Sequence, residues 1–223
     1  MLGVNKEIIE ARSQIMNIVA NYVSKEGLGF KRRSSYIDFY AQHLDTIKTF
    51  QVLDKDYRYM HCFELHCGIN WLNIWRIVWI DDPLTKENMF KDMALIGLNS
   101  AGDPEFGDIQ YRSIDEVDKV SNIIIRYYNE RVVPFFEKWY DYHNVEEEFF
   151  TLSDAAVKVS LFRRRASRIA IAIALVGGDR RLAERLIEEH GLCFESEPSE
   201  LRKMEQFVGT LRARGLIYQQ EGR

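Results

Sequence analysis

Apolar positions near the start of the chain fall at spacings of three and four: Ile8, Ala11, Ile15, Ile18 and Tyr22, with Ile9, Met16, Val19 and Val23 widening the stripe. That period marks an amphipathic helix. Gly27 and Gly29 follow, where a chain leaving helical geometry favours glycine. From Phe30 the period shortens to two. Ile37 and Phe39 alternate with polar neighbours, residues 46–53 form a second extended run, and Asp54, Lys55 and Asp56 read as a turn. The clearest strand comes next. Tyr57, Tyr59, His61, Phe63, Leu65, Cys67 and Ile69 share one face, while Arg58, Met60, Cys62, Glu64 and His66 share the other. Residues 72–80 are apolar in a way that suits strand or helix, and Trp71, Trp75 and Trp79 fall on one face in either.

The stretch 81–108 is less regular, with a short helix expected over residues 86–95 and a loop at NSAGDPEFGD. Ser113 with Glu116 three positions on has the form of a capping box. Behind it Val117, Val120, Ile124, Tyr128, Val132, Phe135, Trp139 and Tyr142 line one side of a long helix, which Pro134 should kink or divide. Leu152, Ala155, Val159, Phe162, Ala166, Ile169, Ile173 and Val176 keep a seven-residue repeat, read as one long helix or two nearly collinear ones. Gly177-Gly178-Asp179 turns the chain into a partner helix with Leu182, Leu186 and Ile187 inward. A last helix carries Leu201, Met204, Phe207, Val208 and Leu211. The expected fold is α+β: an antiparallel sheet of about four strands, residues 30–80, packed on helices 5–26 and 114–142, followed by a C-terminal helical hairpin or bundle.

Charge divides the chain. Residues 1–150 hold 17 Lys and Arg against 24 Asp and Glu, whereas residues 151–223 hold 13 against 10. This predicts an α+β domain over 1–150 and a helical extension over 151–223 packed on it. The acidic balance argues against a nucleic-acid partner. No apolar run approaches the roughly 20 residues that cross a bilayer, and the N-terminus has no signal-peptide core. A cytoplasmic location is the default expectation. Cys62, Cys67 and Cys193 have no zinc or redox spacing and read as free thiols.

Three short pieces, GLGFKRR after the first helix, FELHCGI in the central strand and VVPFFEKW late in the long helix, resemble the uncharacterised bacterial family called domain of unknown function 4304. The similarity spans roughly residues 5–142. It implies the order helix, strands, helix and carries no activity.

Few constellations point to chemistry. Cys62, Glu64 and His66 project from one strand face about 7 Å apart, so a metal would need a further ligand such as His43 or Asp45. No metal and no cofactor is expected. His61, on the apolar face, reads as a hydrogen-bonded core or groove residue. There is no Gly-x-Ser-x-Gly elbow and no phosphate-binding glycine loop. Arg163, Arg164, Arg165 and Arg168 form the one basic cluster, read as the water-facing side of a bundle helix, with Glu184, Glu188 and Glu189 as partners. Arg163, Arg164 and Arg168 are the candidates for a phosphate contact. The aromatics Tyr57, Tyr59, Trp71, Trp75 and Trp79 gather in one region and are the candidate surface for a protein or peptide partner. The functional expectation is a non-enzymatic binding or adaptor protein, of immunity or regulatory type. The alternative is a hydrolase or metal-dependent enzyme using Glu64 and His66.

Overall fold

The computed structural model describes residues 6–32, 36–56, 61–82 and 94–218. The fold is α+β with an antiparallel sheet, as the periodicity predicts. Helix α1 (Lys6–Lys25) is followed by strands β1 (Gly29–Arg32), β2 (Tyr36–His43), β3 (Thr46–Asp56) and β4 (His61–Trp71). Helix α2 (Leu72–Val78) and strands β5 (Ile96–Asn99) and β6 (Ile109–Tyr111) come next. The central helix runs as α3 (Val117–Tyr127), a π turn (Tyr128–Val132) and α4 (Val133–Trp139). The remainder is helical: α5 (Glu146–Phe150), α6 (Asp154–Ser160), α7 (Arg163–Val176), α8 (Arg180–Leu192) and α9 (Pro198–Ala213).

The chain forms two compact units: Met1–Ile69 with Gly97–Tyr140, and Asn70–Ile96 with Asp141–Arg223. The charge pattern suggested a single cut near residue 150. The contacts instead group residues 70–96 with the C-terminal helices, because the tryptophan-bearing α2 packs against α7.

In the first unit the strand order is β1-β2-β3-β4-β5, and β6 also pairs with β4. The sheet has six strands rather than about four, since the loop-like stretch around residues 96–111 supplies β5 and β6. Register sets Phe39 opposite Phe50 and Ile37 opposite Val52, so the apolar sets of β2 and β3 coincide on one face. The Phe39 and Phe50 rings stack at 5.7 Å, and Phe50 meets Tyr128 at 5.3 Å. Each such ring, fully buried, contributes about 1.5–3 kcal/mol. In β4 the odd positions His61, Phe63, Leu65, Cys67, Ile69 and Trp71 are all buried, as the alternation predicts. Helix α1 buries Ala11, Ile15, Met16, Val19 and Val23 against α3 and the sheet, while Ile9 and Ile18 face water. The true stripe is therefore rotated from the one through Ile18.

Three local expectations change. Asp54 to Asp56 continue β3 and form no turn there. The Ser113 hydroxyl caps no helix; Glu116 accepts instead from the Arg112 backbone N–H at 2.7 Å. The central helix is divided as Pro134 suggested, but the division falls just before the proline and not at it. The chain widens to a π turn just before it, which accommodates the missing donor, and Pro134 sits in the first turn of α4, where that donor is not needed. The helix expected over residues 86–95 lies mostly outside the described residues.

In the second unit the seven-residue repeat does not make one helix. It breaks at Leu161, which adopts a left-handed φ of 67°, leaving Leu161 and Phe162 exposed. Helix α7 behind it is buried on all sides from Ala166 to Ala174. At its end Gly178 takes φ 79°, the Asp179 N–H returns to the Ala174 carbonyl, and the Asp179 carboxylate accepts from the Leu182 N–H to start α8. The expected hairpin of α7 and α8 is present, and α9 buries Met204, Phe207, Val208 and Leu211.

Candidate functional site

The aromatic surface expected from Tyr57, Tyr59, Trp71, Trp75 and Trp79 does not emerge as a free face. Tyr57 and Tyr59 lie outside the described residues. Trp71 and Trp75 are 2% and 4% exposed. Trp71 ends β4 and sets its edge against Tyr142 and Phe149 at 5.9 and 6.0 Å. The segment 72–78 is helix, so the spacing of four turns these rings toward the interior of their unit. Trp79 is half-buried at the end of α2, with the Arg165 guanidinium 5.4 Å from its ring.

On the polar face of β4, His66 Nε2 donates to Glu64 Oε1 at 2.8 Å, and Glu64 also accepts from Asn99 and pairs with Lys55. Burial, and then Lys55, hold the His66 imidazole below its usual value. The group that joins Glu64 and His66 from neighbouring strands is a lysine and an asparagine, where a hydrolytic or metal site wants a second acid. His43 closes the β2–β3 hairpin, with the whole length of β3 between it and Lys55. Among the described residues no three His, Cys, Asp or Glu side chains are placed to hold a metal ion.

Two buried polar clusters were not legible in the sequence. In the first unit the Asp54 carboxylate accepts from Arg12 Nη1 at 3.0 Å, the Tyr111 hydroxyl at 2.9 Å and His61 Nδ1 at 3.2 Å. His61 is thus a hydrogen-bonded residue on the buried face, as its position suggested. Burial, reinforced by Asp54, pushes the Tyr111 hydroxyl up, so it remains a donor. A histidine oriented by a buried carboxylate has the form of a general base. Its outer nitrogen faces the Asp56 carboxylate at 3.9 Å.

In the second unit His190 Nε2 lies 2.9 Å from the Phe150 carbonyl, which can only accept. Nε2 therefore carries a proton, and in the neutral imidazole, which burial favours, Nδ1 accepts from Ser167 Oγ at 3.1 Å. This is a serine–histidine pair in form. Ser167 is fully buried and His190 nearly so, and the pair instead ties α5, α7 and α8 together. Apart from Asp54 and His61, seven residues apart, the partners lie 23 to 57 residues apart and give no local spacing signal.

The arginine cluster divides. Arg168 does not face water: it is 8% exposed and bidentate to Asp81 at 2.8 and 2.9 Å, and it donates to the Val78 and Lys203 carbonyls. It cannot meet a phosphate without losing that carboxylate. Arg164 pairs with Glu200 at 2.5 Å, and Lys203 pairs with the same carboxylate at 2.8 Å. Both cations hold Glu200 below the usual carboxylate range. The partners are thus Asp81 and Glu200, not the acids of α8. Arg163 is exposed. Together Phe162, Arg163, Arg164, Phe194, Glu197, Glu200 and Lys203 line a cleft of about 310 Å³.

Phe162 lines this cleft, and Leu161 immediately before it takes a left-handed, strained backbone conformation. A left-handed leucine costs about 1–2 kcal/mol, which a glycine at that helix end would avoid. Burial does not repay it, because the Leu161 and Phe162 side chains are 61% and 57% exposed. Strain without a packing return is a reason to look for function.

No protein-family model matches the chain, and no curated protein or solved structure does.

Proposed function

We propose that this protein acts by binding a protein partner, with the docking surface on the helical unit at Leu161 and Phe162 beside the charged cleft. The observation that carries the reading is the strained, solvent-facing Leu161-Phe162 step. Two large apolar side chains exposed side by side, flanked by arginines, have the composition of an interface hot spot. The reading keeps the class expected from the sequence and moves the surface away from Trp71 and Trp75, which already serve as core. The resemblance to domain of unknown function 4304 does not reach residues 161–162 and adds nothing to it.

The test is a paired capture experiment. Wild-type protein and a Leu161→Ser/Phe162→Ser variant are used as bait in lysate of the producing cells, after equal melting temperatures have been established. A prey retained by the wild type and lost by the variant supports the reading. Identical prey sets from both baits overturn it.

A further inference from the structure

We infer that the cleft beside Phe162 takes the anionic side chain of an acidic peptide segment whose apolar neighbour rests on Leu161 and Phe162. This deepens the docking function proposed above and rests on it.

Charge complementarity identifies the occupant. Three cations, Arg163, Arg164 and Lys203, line the cleft with two carboxylates, Glu197 and Glu200. Glu200 is already shared between Arg164 and Lys203, so one carboxylate faces two cations there. Arg163 stands exposed at the same mouth and has no ion pair among the described residues. The local surplus is positive, although the whole chain carries a net charge of −4. A guanidinium offers planar paired donors that match a carboxylate or phosphate. The volume is at the lower end of the roughly 300–1,000 Å³ of small-molecule pockets. It suits one or two side chains better than a cofactor. Phe162 forms one wall and is itself more than half exposed, with the Arg165 guanidinium 5.8 Å from its ring. Apolar and cationic groups therefore adjoin at a single point, and the ligand must offer both complements at the spacing of neighbouring residues. An extended nucleic-acid strand would meet a basic surface interrupted by two glutamates.

A displayed library of random peptides, selected on the full-length protein at low salt, tests this directly. The expected result is enrichment of peptides with Asp or Glu within two positions of an aromatic or aliphatic residue. Binding of a synthesised winner should fall about tenfold or more in the Arg163→Glu variant, be largely kept in Arg163→Lys, and weaken as salt rises. Replacing the winner's acid by phosphoserine separates the two anion sources: tighter binding identifies phosphate, and weaker binding identifies carboxylate. Enriched peptides that are apolar without acids, yet still depend on Leu161 and Phe162, would overturn the anionic pocket and leave the docking function standing. Binders indifferent to both Arg163→Glu and the Leu161→Ser/Phe162→Ser variant, or RNA bound in preference to peptide, would overturn both.

Discussion

At position 168 a guanidinium stands where the surrounding helix otherwise places alanine and isoleucine, and Asp81 answers it across about 87 residues of chain. Removing one member of such a buried pair leaves the other charge unpaired, at about 3–5 kcal/mol. Asp81→Ala should therefore lower the unfolding free energy by that amount in urea titration, and Arg168→Leu with Asp81→Leu should recover most of it. Equal losses in the single and double variants would show that the pair is not the cause. Leu161 makes the opposite case. Leu161→Gly relieves the left-handed conformation and should raise stability by up to about 1 kcal/mol. A lower urea midpoint would mean that the leucine side chain supports the fold. Neither residue's role was legible in the sequence. A run of arginines on a helical period normally marks the solvated side, but α7 is buried all round, so no such side exists between Ala166 and Ala174. Leu161 carries no Gly or Pro signal, so the repeat could not show whether or where the helix divides.

Elements whose pattern came from one packed face were legible. The stripe from Val117 to Trp139 is buried along its length, and β4 alternates as its sequence alternates. Elements fixed by backbone contact were not. In β5, Gly97 approaches β4 so closely that a Cβ would lie 2.5 Å from the Cys67 carbonyl oxygen. Gly97→Ala should force the two strands apart and cost about 1–3 kcal/mol, read by urea titration. An unchanged midpoint would show that β5 can yield freely. The joint of α5, α7 and α8 at His190 is legible only from structure, and it predicts a pH dependence. Burial holds His190 below its usual value, while the Phe150 carbonyl and Glu189 act in the other direction. A depressed histidine means that the unfolded chain binds the proton more readily. Stability from this group is thus complete above the unfolded value of about 6.5 and is lost as pH falls below it, until the folded value is passed. His66, lowered by burial and Lys55, adds in the same direction. The urea midpoint should fall between about pH 7 and pH 5. His190→Gln should flatten that slope, and an unaltered slope would remove His190 from the account.

For the whole molecule, class and element order were legible because hydrophobic period reports local geometry directly. The division into units was not, because it depends on which distant segments pack together. Residues 70–96 join the helical unit through packing of α2 on α7, which no local period encodes. The candidate site followed the same rule. Arg163 and Arg164 were singled out by composition, but the cleft they share with Phe194 and Lys203 needed α7, α9 and the segments that precede them to be brought together. If the Leu161-Phe162 step is the docking surface, a partner lies against it in the cell. Site-specific photo-crosslinking in the producing cells tests it most directly. A photoreactive phenylalanine analogue is placed at position 162 and, as a control of equal exposure in the same unit, at Tyr218. Docking at this step should give a discrete protein adduct from position 162 that is absent from 218; no adduct, or the same adduct from both positions, would rule it out.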